Sequence, residues 1–145
     1  MLTPSSEMIL RRDAAQASLD HFGGKDHDWG TVDCGRLVAW HLRQFAVKPK
    51  LHRFGRYRSA RGALTALRRA GFQSMAEVMD DLGLRRIAPA EARVADLVSG
   101  DGIDPFGAVG IYLGNEVLLG FCEGVPQATT LRRTADTLTA AWSVI

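Results

Sequence analysis

The chain predicts an α+β domain. Up to Leu82 its apolar residues recur at helical spacing, whereas after Pro89 short apolar runs are punctuated by turn residues. Helices first and antiparallel strands second is the order of an α+β unit rather than of alternating βα repeats. With 145 residues and no internal repeat, low-complexity tract or linker, residues 1–145 are expected to form a single domain.

The helical half reads element by element. Thr3-Pro4 offers an N-cap hydroxyl followed by proline at the first helical position. Met8, Ile9, Ala15, Leu19 and Phe22 follow at helical spacing, and Gly23-Gly24 closes the segment. After the polar loop GGKDHDWGTV, Asp33 caps a second helix carrying Leu37, Val38, Trp40, Leu42 and Phe45. Ser59 opens a third helix that ends by Gly71. Ser74-Met75-Ala76-Glu77 has the form of a capping box for a fourth, ending at Leu82-Gly83.

The strand half begins at Ala95–Val98. Ala108–Gly114 and Asn115–Phe121 predict a hairpin turning near Gly114-Asn115, since glycine and asparagine tolerate the positive φ of a tight hairpin turn. Ala128–Leu131 and the segment 140–145, AAWSVI, predict two further strands.

Composition narrows the function classes. The chain is 46% hydrophobic and 23% charged with a net charge of +2, the profile of a soluble globular domain. No apolar run approaches the roughly 20 residues that span a bilayer, and the N-terminus lacks the order of a secretory signal, so synthesis in the cytoplasm is expected. Cys34 and Cys122 lie too far apart for a C-x-x-C redox or zinc pattern, and two thiols rather than a disulfide are expected. Asp96, Asp101 and Asp104 do not match a calcium loop, so no metal or other cofactor is assigned.

Charge is unevenly distributed. Between Cys34 and Ala76 there is no Asp or Glu, while Arg36, Arg43, Arg56, Arg58 and other cations accumulate there. With Phe54 and Tyr57 among them, such a stretch can contact nucleic acid. A solvated face, or one complementing an acidic neighbour, is the favoured reading because net charge is small and no nucleic-acid motif is present.

The candidate chemistry centres on Cys34. A cysteine at a helix start faces the positive end of the helix, which favours a thiolate, while the adjacent Asp33 carboxylate opposes it. Trp29, five residues earlier, is placed to roof a cleft or meet a neighbouring subunit. An Asp-Cys helix start followed by a sheet with Val109-Gly110-Ile111-Tyr112 resembles the NlpC-type peptidases. These are papain-like cysteine hydrolases that cut peptides of bacterial peptidoglycan. More closely, the chain resembles an uncharacterised phage and prophage family related to them. The motifs carrying that resemblance are Trp29, Asp33-Cys34, Arg56-Tyr57 with Gly71, and Trp142, in that order between about Phe22 and Val144.

The resemblance implies a papain-like NlpC-type fold, with a helical N-terminal half carrying the nucleophile packed on a small antiparallel sheet carrying a base histidine. It also implies a place among phage tail genes, where a tail-tip peptidase is expected. Candidate binding positions in this chain are Trp29, Arg36, Arg56 and Tyr57. Two departures stand out. Arg36 replaces a small residue beside the nucleophile, and Ala108 occupies the position of the base in what the enzymes write as His-Val-Gly-Ile-Tyr.

Of the four histidines, His41 is two turns beyond Cys34, about 10 Å along the helix axis and outside a general base's reach. His21 and His52 read as structural or surface residues. His27, in the glycine-containing loop before the cysteine, is the one candidate able to fold back. The leading expectation is therefore a catalytically degenerate tail-tip or tail-assembly protein, virion-associated, with other tail proteins as partners. An active hydrolase of peptidoglycan peptides and a basic nucleic-acid binder are the alternatives.

Overall fold

The computed structural model describes residues 2–100, 109–122 and 124–145. Thr3 opens the first helix as its sequence dictates: its Oγ1 accepts the Ser6 N–H at 3.1 Å, and α1 runs Pro4–Phe22. The buried face of α1 is formed by Arg11, Ala14, Ala15, Ser18 and Phe22. Met8 and Ile9, expected on the apolar face, point outward and are exposed. Arg11 can take the inner position because its guanidinium meets Asp96 at 2.7 Å, Glu7 at 3.1 Å and the Val94 carbonyl at 3.1 Å. A buried cation so paired escapes the cost of an unpaired one.

Three more helices follow: α2 (Cys34–Leu42), α3 (Ala60–Arg69) and α4 (Met75–Asp81). Asp33, Ser59 and Ser74 cap them through Arg36, Gly62 and Glu77 N–H groups. The capping box at Ser74 differs from expectation in its return bond. The Glu77 carboxylate reaches back to the Gln73 N–H, one residue outside the position the motif prescribes.

Among the described residues six strands form one antiparallel sheet: β1 (Arg85–Ile87), β2 (Leu97–Gly100), β3 (Val109–Gly114), β4 (Val117–Cys122), β5 (Val125–Arg132) and β6 (Leu138–Ser143), ordered β1-β6-β2-β3-β4-β5. The β3–β4 hairpin turns through Asn115 and Glu116, both at positive φ, the geometry that matches strand twist. Along β3, Val109 and Ile111 face the helices, while Tyr112 joins Val98, Leu118 and Ala141 on the opposite face. Gly110 between them is a steric requirement, because a Cβ there would lie 2.7 Å from the Leu119 carbonyl oxygen and 2.8 Å from the Leu118 Cδ1.

The main core joins α1, α2, α3 and α4 to the sheet through residues such as Phe22, Leu37, Leu42, Leu67, Met79, Ile111, Leu119 and Trp142. Trp142 is fully buried, and its indole N–H donates to Asp80 at 2.9 Å. Arg86 binds the same carboxylate with two N–H groups, each at 3.0 Å. That hydrogen bonding, chiefly from Arg86, holds the Asp80 pKa below its ordinary value. One carboxylate thus ties the end of α4 to β1 and β6. No helix among the described residues is long and apolar enough to cross a membrane.

Candidate functional site

α2 sets the site's position. At its C-terminal end His41 is buried, with Nε2 2.7 Å from the Ala95 carbonyl oxygen. The Ala95 N–H in turn donates to the Tyr112 carbonyl at 2.8 Å, so this end of the helix lies over the end of β3. The opposite end begins at Cys34, the first helical residue.

Asp33 organises the cysteine end. Only 2% exposed, its carboxylate accepts the Arg36 N–H at 2.8 Å on Oδ1, and the Gly30 N–H at 2.9 Å and the Tyr57 O–H at 2.8 Å on Oδ2. The bond from Arg36 is the cap bond expected of an aspartate at a helix start, and that from Gly30 closes the loop before it. The third, from Tyr57, ties the basic segment to the turn before Cys34. Burial, and then the neighbouring Asp33 charge, push the Tyr57 pKa well above the usual phenol value, so Tyr57 stays a neutral donor. Gly30 sits at φ 90°, and a Cβ there would lie 2.2 Å from the Tyr57 carbonyl oxygen. Only glycine permits this approach.

Cys34 is half-buried and is a thiol, as is Cys122. Cys122 is only partly buried and follows a register shift in the β4–β5 ladder between Gly120 and Cys122. Cys34 shares an apolar pocket of about 60 Å³ with Trp29, Arg36 and Tyr57, and the pocket continues between α2, α3 and α4 to Leu42, Leu67 and Met79. The Arg36 guanidinium lies 6.0 Å from the centre of the Tyr57 ring, directed over that ring as a cation–π pair.

Four of the residues singled out from sequence, Cys34, Trp29, Arg36 and Tyr57, thus line one pocket. Arg56 is exposed on the segment leading to Tyr57 and does not line it. His27 packs edge-on against Trp29, ring centres 4.6 Å apart, and against Phe121 at 5.2 Å. Its loop is more firmly held than its glycines suggest. The His27 N–H donates to the Pro126 carbonyl at 2.7 Å, and Asp26 bridges to Gln127. Ala108 lies outside the described residues.

Of the other histidines, two are engaged with neighbours and one is exposed. His21 stacks on Trp40 at 4.4 Å, and His52 is exposed in the 3-10 turn Leu51–Phe54. His41 is held at both nitrogens. The Ala95 carbonyl can only accept, so Nε2 carries the proton, and Nδ1 accepts from the Ser18 hydroxyl at 2.7 Å. Burial lowers the His41 pKa to about 4. Sequence reasoning excluded His41 as a base by distance but missed this network, whose partners lie 23 and 54 residues away. Asp96, considered with Asp101 and Asp104 as a metal signal, is used by the Arg11 ion pair and by the N–H groups of Arg93 and Val144. Most cations of the acid-free stretch are exposed, and Arg53 pairs with Asp81 at 2.6 Å.

A helical half bearing a cysteine at a helix start, packed on an antiparallel sheet, defines a papain-like fold of the NlpC type. The chain matches the solved structure of the peptidoglycan hydrolase RipB from Mycobacterium tuberculosis with a TM-score of 0.59 and 16% identity, over 99% of this chain and 69% of that one. At that identity the likeness concerns the fold. Residues 10–144 match the model of a family described as a domain of unknown function, DUF6950, and the chain belongs to that family. No curated protein matches it in sequence.

Proposed function

We propose that this protein is a catalytically degenerate NlpC-like domain that serves as a structural component of a phage or prophage tail tip. One observation carries the degenerate reading. Of the chain's four histidines, His41 is committed to Ser18 and Ala95, and His21 is stacked on Trp40. The strand expected to bring a base starts Val109-Gly110-Ile111-Tyr112 after an alanine. The tail assignment rests on resemblance, and its partners are other tail proteins, with peptidoglycan as a surface the tip meets.

A specific feature favours a second reading, an active cysteine hydrolase of peptidoglycan peptides. His27 is clamped between Trp29 and Phe121, and Trp29 lines the Cys34 pocket. In this reading His27 would take the thiol proton as Cys34 attacks the peptide carbonyl.

Digestion of purified sacculi separates the two. The degenerate domain releases no peptide fragments, and Ala108→His produces measurable release that Cys34→Ala abolishes. Release by the unaltered protein that is lost in both Cys34→Ala and His27→Ala overturns it. For the tail role, mass spectrometry of purified particles should detect the chain with tail proteins; particles lacking it refute the placement.

A further inference from the structure

The pocket beside Cys34 has a chemical polarity of its own. Its outer end is formed by half-buried residues, Cys34, Trp29, Arg36 and Tyr57, and its inner end by buried Leu42, Leu67 and Met79. At roughly 10–15 Å³ of probe space per water-sized group, its 60 Å³ holds about four to six such groups, the bulk of a leucine side chain or a short alkyl chain. An apolar cavity of this kind gains little from water and much from hydrocarbon.

The outer end is cationic. Arg36 Nε is buried and makes no hydrogen bond among the described residues, although a buried donor normally has a partner. From Gly35 to Met75 the sequence contains no acid that could supply one. Asp33, the only carboxylate on the pocket wall among the described residues, is already committed to Gly30, Arg36 N–H and Tyr57. We infer that this pocket binds an aliphatic carboxylate, its chain inserted between α2, α3 and α4 and its carboxylate held at Arg36 beside Cys34. Both a short fatty acid and the C-terminal aliphatic residue of a peptide present this chemistry. The inference concerns binding and holds whether or not the domain cleaves anything.

Cys34 provides the readout, with Cys122 as the internal reference. Alkyl methanethiosulfonates convert a thiolate to a mixed disulfide and release methanesulfinate, so labelling of each cysteine can be followed by mass spectrometry. The Cys34-to-Cys122 rate ratio is expected to rise about tenfold from the ethyl to the pentyl reagent, a difference of about 1.4 kcal/mol. Hexanoate or N-acetyl-leucine should then protect Cys34, while hexanamide and N-acetyl-leucinamide should not. Protection by the first assigns a fatty acid, by the second a peptide terminus. Ala39→Leu, which fills the pocket wall, should remove the chain-length effect, and Arg36→Gln should remove the preference for carboxylate over amide. A rate ratio indifferent to chain length, or equal protection by acids and amides in the unaltered protein, overturns the inference.

Discussion

The two ends of α2 use reactive side chains in opposite ways. At the C-terminal end, His41 and Ser18 form a hydrogen-bonded pair of the kind found in hydrolases, yet both are fully buried and His41 Nε2 is committed to a backbone carbonyl. At the N-terminal end, Cys34 opens on a pocket and its neighbours are held from behind by Asp33. The difference lies in what surrounds each pair rather than in residue type. Satisfying both imidazole nitrogens in a dry site fixes the fold and takes the histidine out of proton transfer, whereas the cysteine end keeps access and a cavity.

Breaking the buried end should have the largest effect. His41→Ala leaves the Ala95 carbonyl and Ser18 without their partner and opens a cavity. A loss of about 3–4 kcal/mol is expected, seen as a lower urea midpoint at an unchanged slope.

The next effect is one of pH. The His41 pKa is about 4 in the folded protein, below the 6.5 of an ordinary imidazole, so the unfolded chain takes up the proton first. Stability from this group is complete above about pH 6.5 and declines as pH falls toward 4, by about 2–3 kcal/mol between pH 7 and 4.5. Urea titrations of the native protein and His41→Gln across that range would isolate it, since the variant should lose this part of the pH dependence.

The cysteine end should respond less. Asp33→Ala removes the acceptor of three donors and is expected to cost about 2 kcal/mol. Tyr57→Phe removes one of those bonds and should cost about 1 kcal/mol. If Tyr57→Phe proved as damaging as His41→Ala, the cysteine end would be a structural centre of equal weight and the contrast between the two ends would fail.

What could be read from sequence follows the range of the interactions. Thr3, Asp33 and Ser59 were legible as caps because the N–H they bind is three residues away. The β3–β4 turn was legible because Gly114-Asn115 carries its own backbone preference. β1 was not, since Arg85, Arg86 and Ile87 have no strand alternation and become a strand only by pairing with β6. The same holds for the outward Met8 and Ile9, whose face was decided by the distant Arg11–Asp96 pair. At the site, Cys34, Trp29, Arg36 and Tyr57 were named from motif and resemblance, but the pocket that joins them depends on α3 and α4 and had no local signal.

The placement of β6 bears on how this molecule comes together. It follows all the other strands in sequence yet lies second in the sheet, hydrogen-bonded to β1 on one side and β2 on the other. Among the described residues β1 has no other strand neighbour, so its ladder depends on a strand some fifty residues downstream. Both seams depend on this one strand, and Asp80 fastens it to α4 through Trp142 and Arg86. The last strand in sequence thus holds the edge of the sheet, its interior and the end of α4 in one hydrogen-bonded network.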